Sequence, residues 1–324
     1  MGLPDSVMLA VVMSLVERFL GRDERALARA ISLAEAGSPV GQVLLAAVRA
    51  RATGAPVVGV TGSPGSGKST LIDRLIGAVR ERGERVAVVT VDPTSPYSGG
   101  AIMGDRIRMM GWYDDPGVYI RSMATRGRLG GLAGATLQVV TLLDAYGFDR
   151  VFVETVGVGQ SEIDIVELAD TTILVLTPEQ GDGVQALKAG IMEVADLFCV
   201  NKYDRPGGDR LKREVEAALE FTPLVGGTWR PPVLETVATR GEGTGLLMEY
   251  LDRHIDHLKV TGQRRERLRR RARAEVSALL NRELERALSA RDDGFVDEIL
   301  KGRTSLRDAV LVLLAASPVG SRVD

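Results

Sequence analysis

The sequence predicts an α/β fold in which a mainly parallel sheet is covered by helices on both faces. Short apolar segments with the length of buried strands alternate with amphipathic stretches at helical spacing, which is typical of parallel sheets. The strand-like segments are 57–60, 86–91, 118–121, 151–154, 172–176, 197–201 and 233–236. Because ligands bind at the carboxyl ends of parallel strands, functional residues are expected there.

Helical spacing without strands marks both ends of the chain. Apolar residues recur at this spacing from Ser14 to Ala50, and a single apolar stripe continues after Leu258. The chain is therefore divided into a helical extension at 1–55, an α/β domain at 56–258 and a helical arm at 259–324.

The composition narrows the class of protein. Hydrophobic residues make up 45% and charged residues 26% of the 324 residues, so a large core is expected rather than a disordered chain. Because 41 basic side chains are balanced by 43 acidic ones, we expect no nucleic acid and no membrane among the partners. The single cysteine, Cys199, lies in a predicted buried strand and fits a cytoplasmic location.

The apolar run from Val7 to Met13 lacks a preceding basic segment, so no signal peptide is expected. It is also shorter than the ~20 apolar residues that span a bilayer. The run forms either the first turns of the N-terminal helix or a stretch that precedes a true start at Met13.

The strongest motif is GSPGSGKST, which follows the first predicted strand and opens a predicted helix. In this context backbone N–H groups converge on phosphates, Lys68 adds positive charge at the β and γ phosphates, and the Ser69 hydroxyl can ligate Mg2+. The sequence therefore predicts a P-loop nucleoside triphosphatase. Its phosphate-binding residues are Gly62, Ser63, Pro64, Gly65, Ser66, Gly67, Lys68, Ser69 and Thr70.

The tetrapeptide NKYD at 201–204 identifies the base, because it ends a later predicted strand and is similar to the NKxD motif of GTPases. Asp204 would accept hydrogen bonds from guanine N1 and N2, whereas adenine offers no matching donors. Asn201, Lys202 and Asp204 are therefore the candidate base-binding residues, with GTP as substrate and GDP as product.

Carboxylates at the ends of other strands complete the predicted site. Asp92 ends the second strand, Asp105 follows a Gly- and Ser-rich loop, and Glu154 ends the segment VFVET. Such carboxylates hold Mg2+ directly or through water and orient the attacking water. Lys68, Asp92, Asp105 and Glu154 are the candidate catalytic residues, and Ser69 with the three carboxylates is the candidate Mg2+ site.

The segment ETVG at 154–157 occupies the place of the DxxG motif, with glutamate instead of the usual aspartate. Gly157 would contact the γ-phosphate through its N–H and so sense hydrolysis. No glutamine follows this glycine directly, and no arginine is assigned as a finger. We therefore expect slow intrinsic turnover that a partner accelerates.

Together these motifs resemble the MeaB/ArgK family of SIMIBI-class P-loop GTPases, which are methylmalonyl-CoA mutase-associated and are also called LAO/AO transport ATPases. The resemblance rests on VTGSPGSGKST, VDPTSPYSGGAIMGDRIRM, RSMATRGRLGGL, ETVGVGQSE and NKYD, and it covers about residues 14–290. It implies a homodimer that chaperones an adenosylcobalamin-dependent acyl-CoA mutase such as methylmalonyl-CoA mutase. Such a chaperone gates cofactor loading and protects or reactivates the mutase.

The resemblance also implies two further sets of functional residues. In EQGDGVQALK at 179–188, Asp182, Gln185 and Lys188 would form a switch that relays the nucleotide state to the mutase; an ordinary strand-to-helix loop is the alternative. In VATRGEGTGLL, Ala238 falls where the last GTPase motif would contact guanine O6 through its backbone.

Two other functions stay open. A kinase or ATPase of lysine, arginine and ornithine transport would share the P-loop, but ATP would not use the guanine-specific hydrogen bonds of Asp204. A metal-insertion GTPase typically carries His- or Cys-rich tracts, whereas this chain has two His and one Cys. We interpret His254 and His257 as surface residues rather than zinc ligands, and the basic run 264–273 as a solvated face of a dimerisation arm.

Overall fold

The computed structural model describes residues 5–92, 109–124, 134–155, 161–180, 195–220 and 229–316. The chain divides into two compact units, Met1–Arg271 and Ala272–Asp324. The first contains the N-terminal helices and the sheet. The second contains helices alone among its described residues.

The predicted parallel sheet is confirmed. All its strands run in parallel, in the order β3-β2-β4-β1-β5-β6-β7. The strands are β1 (Val57–Thr61), β2 (Val86–Asp92), β3 (Val118–Ala124), β4 (Arg150–Thr155), β5 (Thr171–Leu176), β6 (Leu197–Asn201) and β7 (Val233–Thr236). The carboxyl ends of all of them therefore lie at one edge of the sheet, with β1 near its centre.

Helices flank the sheet and occupy both ends of the chain. They are α1 (Asp5–Leu20), α2 (Glu24–Glu35), α3 (Pro39–Arg49), α4 (Lys68–Glu81), α5 (Gly134–Tyr146), α6 (Ser161–Leu168), α7 (Gly208–Glu220), α8 (Thr244–Val260), α9 (Gln263–Ser289), α10 (Asp293–Leu300) and α11 (Leu306–Ala316). The run from Val7 to Met13 lies within α1. Of the helices that the structure describes, none has both the length and the apolar character needed to cross a bilayer.

Both faces of the sheet are covered, because consecutive strand residues point to opposite sides. On β5, Ile173 and Val175 pack in one cluster with residues of α4 and α8, whereas Leu174 and Leu176 pack in another with α7. Cys199 lies in the first cluster, and burial raises the pKa of its thiol to about 12. The thiol is therefore a small core group, as predicted, and not a reactive thiolate.

Polar contacts hold the segment between α3 and β1 and fix the start of β1. The Asp144 carboxylate on α5 accepts hydrogen bonds from the N–H groups of Thr53, Gly54 and Ala55 at 2.9, 2.9 and 3.1 Å. The Val57 N–H, at the first residue of β1, donates to Asp170 at 2.9 Å. Buried carboxylates that accept several N–H bonds hold a chain segment in one conformation, so β1 enters the sheet in a defined register.

Helix α9 corrects the interpretation of the basic run as a solvated face. Arg267 donates to both oxygens of Asp196, at 2.7 and 2.8 Å, and Arg271 lies 3.0 Å from the carboxylate of Asp170. Arg270 donates to the Val166 carbonyl at 2.7 Å. These three side chains bind the α/β fold because carboxylates and free helix-terminal carbonyls face them, whereas Arg269 is exposed as predicted.

Candidate nucleotide-binding site

The loop between β1 and α4 has the backbone geometry of a phosphate-binding loop. Gly62, Gly65 and Gly67 have φ angles of 140°, 78° and 93°, a region that residues with a side chain rarely adopt. A Cβ at Gly67 would lie 2.4 Å from the side-chain nitrogen of Asn201, and one at Gly62 would lie 2.1 Å from the Val175 carbonyl oxygen. The glycines are therefore required both for the turn and for the close approach of β5 and β6.

Lys68 and Ser69 begin α4 and are almost completely buried, at 6% and 3% exposure. The Lys68 Nζ donates to the carbonyl oxygens of Gly62 and Ser63 at 2.7 and 3.0 Å, so its charge is held inside the loop. The positive end of the helix dipole and this ammonium group lie together. The arrangement favours binding of a polyphosphate, because its negative charge is attracted to both.

Glu154 lies beside Ser69, although the two residues are far apart in the sequence. The Ser69 Oγ donates to Glu154 Oε1 at 2.7 Å, and Glu154 is 5% exposed at the carboxyl end of β4. A serine hydroxyl and a carboxylate are hard oxygen donors of the kind that Mg2+ prefers. This pair therefore fits a Mg2+ ion, with Glu154 as the candidate acidic ligand.

Asn201 links the phosphate loop to the base-binding segments. Its side-chain nitrogen donates to the Ser66 carbonyl at 2.8 Å, and its Oδ1 accepts from the Thr236 hydroxyl and the Ala238 N–H, both at 3.1 Å. With Asn201 only 2% exposed, these bonds are shielded from water. One side chain therefore fixes three loops that converge at the carboxyl ends of β1, β6 and β7.

The remaining residues of the base motif stand at the rim of this site. Lys202 has a φ of 55°, which is uncommon for a residue other than glycine, and its Nζ lies 3.2 Å from Glu179. Asp204 is partly exposed, and its carboxylate lies 3.3 Å from Arg240. A partly exposed carboxylate held by a single arginine remains able to accept hydrogen bonds from a ligand.

Several candidate residues lie outside the described part of the chain. The backbone of Asp92 ends β2, but its side chain is not described. The residues wholly outside are Asp105, Gly157, Asp182, Gln185 and Lys188. Their roles in metal binding, γ-phosphate sensing and switching stay predictions.

His254 lies in a buried polar cluster at the amino-terminal edge of the sheet, which the sequence did not predict. This position corrects the interpretation of His254 as a surface residue. His254 is 1% exposed, with Nδ1 2.9 Å from the Thr171 hydroxyl and Nε2 3.3 Å from the Asp196 carboxylate. Burial lowers the pKa of His254 to about 4, so the imidazole is neutral at physiological pH. Among the described residues, no group of three or more His, Cys, Asp and Glu side chains is placed to hold a metal ion.

The parallel sheet, the phosphate-binding loop and the NKYD segment together define a P-loop GTPase. A sequence profile described as methylmalonyl-CoA mutase-associated GTPase MeaB matches residues 27–293. The chain belongs to this family, as the motifs predicted.

Similar proteins support the same assignment. A GTPase of Pyrococcus horikoshii is 48% identical over 270 residues, which is 82% of this chain and 84% of that protein. The mitochondrial methylmalonic aciduria type A homolog of Mus musculus is 39% identical over 257 residues, or 73% of this chain and 61% of that protein. The crystal structure of an LAO/AO transport system kinase has a TM-score of 0.71 at 24% identity, covering 97% of this chain and 98% of that one. At this identity the last comparison concerns the fold alone.

Proposed function

We propose that this GTPase depends on Mg2+ and acts as a chaperone of an adenosylcobalamin-dependent acyl-CoA mutase, such as methylmalonyl-CoA mutase. The family match carries the proposal of a mutase partner. The resemblance to a protein named for methylmalonic aciduria supports it. In this role the nucleotide state gates cofactor loading and protects or reactivates the mutase.

The residues at the carboxyl edge of the sheet divide the chemistry of GTP hydrolysis between them. Lys68 binds the β and γ phosphates, and Ser69 and Glu154 hold Mg2+ together with Asp92 and Asp105. Bound Mg2+ neutralises charge on the phosphate oxygens. The 2.7 Å contact between Ser69 and Glu154 is the observation that supports this division.

Guanine binding is assigned to Asn201, Lys202, Asp204 and the Ala238 backbone. Replacing Asp204 with Asn tests the assignment, because an amide presents a donor where guanine needs an acceptor. One of the two hydrogen bonds to guanine is lost and the other loses its charge assistance, so GDP should bind about 100-fold more weakly or worse. Xanthosine diphosphate, which carries a carbonyl at C2, should bind better to the variant than to the wild-type protein. If GDP affinity were unchanged, Asp204 would not read the base.

We further propose that the arm at 259–324 forms a homodimer. Apolar side chains of the second unit are exposed in the single chain, among them Val276 at 67%, Leu300 at 79% and Leu306 at 73%. A second copy could bury this surface, as large exposed apolar patches commonly mark interfaces. Sedimentation of the wild-type protein and of Val276→Asp tests it, since a charge at the interface should shift the protein to monomer.

The partner is tested with purified methylmalonyl-CoA mutase and three nucleotides: GDP, a non-hydrolysable GTP analogue and ATP. We expect binding that differs between GDP and the analogue, measured by gel filtration and by adenosylcobalamin uptake of the mutase. Variants of Asp182, Gln185 and Lys188 should still bind the mutase, but their binding should no longer differ between GDP and the GTP analogue. If no mutase binds in any state, the GTPase assignment survives and the mutase partner must be abandoned.

The competing role in amino-acid transport predicts a different nucleotide. A transport ATPase or kinase should turn over ATP at least as well as GTP. We expect ATP to be a poor substrate, because adenine cannot donate to the Asp204 carboxylate.

A further inference from the structure

Arg74 connects α4, the helix that follows the phosphate-binding loop, to the turn at 237–243 between β7 and α8, which contains Ala238 and is called the base-site turn below. It lies on α4, the helix that begins with Lys68. Its Nε donates to the Ala238 carbonyl at 3.1 Å, and one terminal nitrogen donates to the Thr239 carbonyl at 3.0 Å. A planar guanidinium can hold two successive carbonyls at once, which the single nitrogen of a lysine cannot reproduce.

Ala238 is consequently held from both sides. Its N–H donates to Asn201 at 3.1 Å, its carbonyl accepts from Arg74, and the residue is 2% exposed. Both peptide groups that flank Ala238 are therefore fixed in orientation. The two partners come from different parts of the fold, β6 and α4, so the turn is fixed in position as well.

Apart from the contact of Arg240 with Asp204 at 3.3 Å, the other described hydrogen bonds of this turn run within it. The Val237 N–H donates to the Glu242 carbonyl at 3.0 Å, and the Thr244 hydroxyl donates to the Gly241 carbonyl at 2.7 Å. These bonds shape the turn but do not set its distance from the phosphate loop. The bonds made by Arg74 set that distance together with those of Asn201, because α4 starts at the phosphate loop and Asn201 also donates to Ser66 in that loop.

We propose that Arg74 is a positioning residue for guanine specificity. It holds the Ala238 N–H, which donates to Asn201 Oδ1, at the distance from the phosphate loop at which guanine O6 would share this donor when the phosphates are bound. The inference rests on the proposed base site. A preorganised turn spares the ligand the cost of ordering it, so losing Arg74 should weaken the contacts that this turn makes to the base.

The expected effect depends on whether a nucleotide has an oxygen at C6. In Arg74→Ala, GDP and inosine diphosphate should both bind about tenfold more weakly, because both carry O6. The diphosphate of 2-aminopurine riboside lacks O6, so its affinity should change less than about twofold. A general loss of structure would instead weaken all three ligands alike.

Steady-state kinetics provide a second readout. The KM for GTP should rise about tenfold in Arg74→Ala, whereas kcat should stay within about twofold. Lys68, Ser69 and Glu154 are untouched by the substitution, so the chemical step should proceed once GTP is bound.

Arg80 is a matched control on the same helix. It also donates to a backbone carbonyl, that of Glu84 at 2.6 Å, and it pairs with Asp115 at 2.9 Å, but it makes neither contact with the base-site turn. Arg80→Ala should therefore leave the ratio of GDP to 2-aminopurine affinity unchanged.

Arg74→Lys covers the case in which the alanine variant does not fold. It keeps the charge but can bind one carbonyl well, so we expect a loss of about threefold for GDP and none for the 2-aminopurine ligand. Equal losses for all ligands, or no loss for GDP, would overturn the role of Arg74. If the wild-type protein itself did not prefer GDP to the 2-aminopurine ligand, the base site would fail instead.

Discussion

Replacing Arg267 with Met should remove the positive charge that pairs with the buried carboxylate of Asp196, at the amino-terminal edge of the sheet. Arg267 donates to both oxygens of Asp196 at 2.7 and 2.8 Å, and the two side chains are 20% and 11% exposed. The same carboxylate accepts from the Thr172 N–H at 2.8 Å and lies 3.3 Å from His254. Methionine preserves the packing of the apolar stem, so the change acts mainly on charge and hydrogen bonding.

The magnitude follows from leaving one member of a buried ion pair without its partner. Such a loss costs ~3–5 kcal/mol. Arg267 is not fully buried, and the Thr172 N–H continues to stabilise the carboxylate, so the lower limit applies. We expect the free energy of unfolding to fall by ~3 kcal/mol.

Urea unfolding followed by circular dichroism at neutral pH measures this difference. Arg269→Met is the matched control, since Arg269 lies on the same helix and pairs at 3.5 Å with Glu266 while both side chains are more than half exposed. An exposed pair of this kind is worth under ~0.5 kcal/mol. If the free energy of unfolding fell by less than ~1 kcal/mol in Arg267→Met, or by no more than in the control variant, the buried pair would not stabilise the fold.

Three other perturbations have defined outcomes. Acid should destabilise the protein through His254, whose pKa burial lowers to about 4 in the folded state. Because this value lies below the ~6.5 of an unfolded chain, the contribution is complete above about pH 6.5 and is lost towards pH 4, ~3 kcal/mol in all. A pH series of urea midpoints should show this slope, and His254→Gln should flatten it; an equal slope in both proteins would contradict the assignment. Glu154→Gln should raise the Mg2+ concentration that half-saturates GDP binding by about tenfold, and an unchanged titration would exclude Glu154 from the metal site. The isolated protein should release phosphate from GTP more slowly than about one per second at saturation, and faster multiple turnover would show that it needs no accelerating partner.

Local patterns were sufficient to predict the sheet and the phosphate loop. Strands buried on both faces read as continuous apolar runs, so β1 and β5 were recognisable from composition alone. A phosphate-binding loop needs backbone conformations that residues other than glycine avoid, and the positive φ angles of Gly62, Gly65 and Gly67 confirm that the loop has such a conformation. Helix α10 was not predicted, since its eight residues are too few to show a clear period.

The motif at 201–204 was predicted to bind the base, but the contacts of Asn201 could not be predicted. Its partners lie on two other segments, Ser66 in the phosphate loop and Thr236 and Ala238 at the end of β7, and only the folded sheet brings their polar groups within hydrogen-bond distance. The hydrogen bonds from Arg74 to the carbonyls of Ala238 and Thr239 could not be predicted for the same reason. Neither residue differs in local sequence from an ordinary polar residue at a strand end or on a helix.

The errors at the C-terminal end have a related cause. His254 and Arg267 looked like surface residues because a polar side chain on an amphipathic helix usually faces water. Both are buried or half-buried because the Asp196 carboxylate, from another part of the chain, accepts hydrogen bonds from Arg267 and lies 3.3 Å from the His254 imidazole. The sequence by itself determined the strands, most of the helices and the glycine-rich turn after β1, since periodicity and backbone conformation are local properties. Only the tertiary structure decided which polar groups meet, because hydrogen-bond partners depend on distances that folding alone establishes.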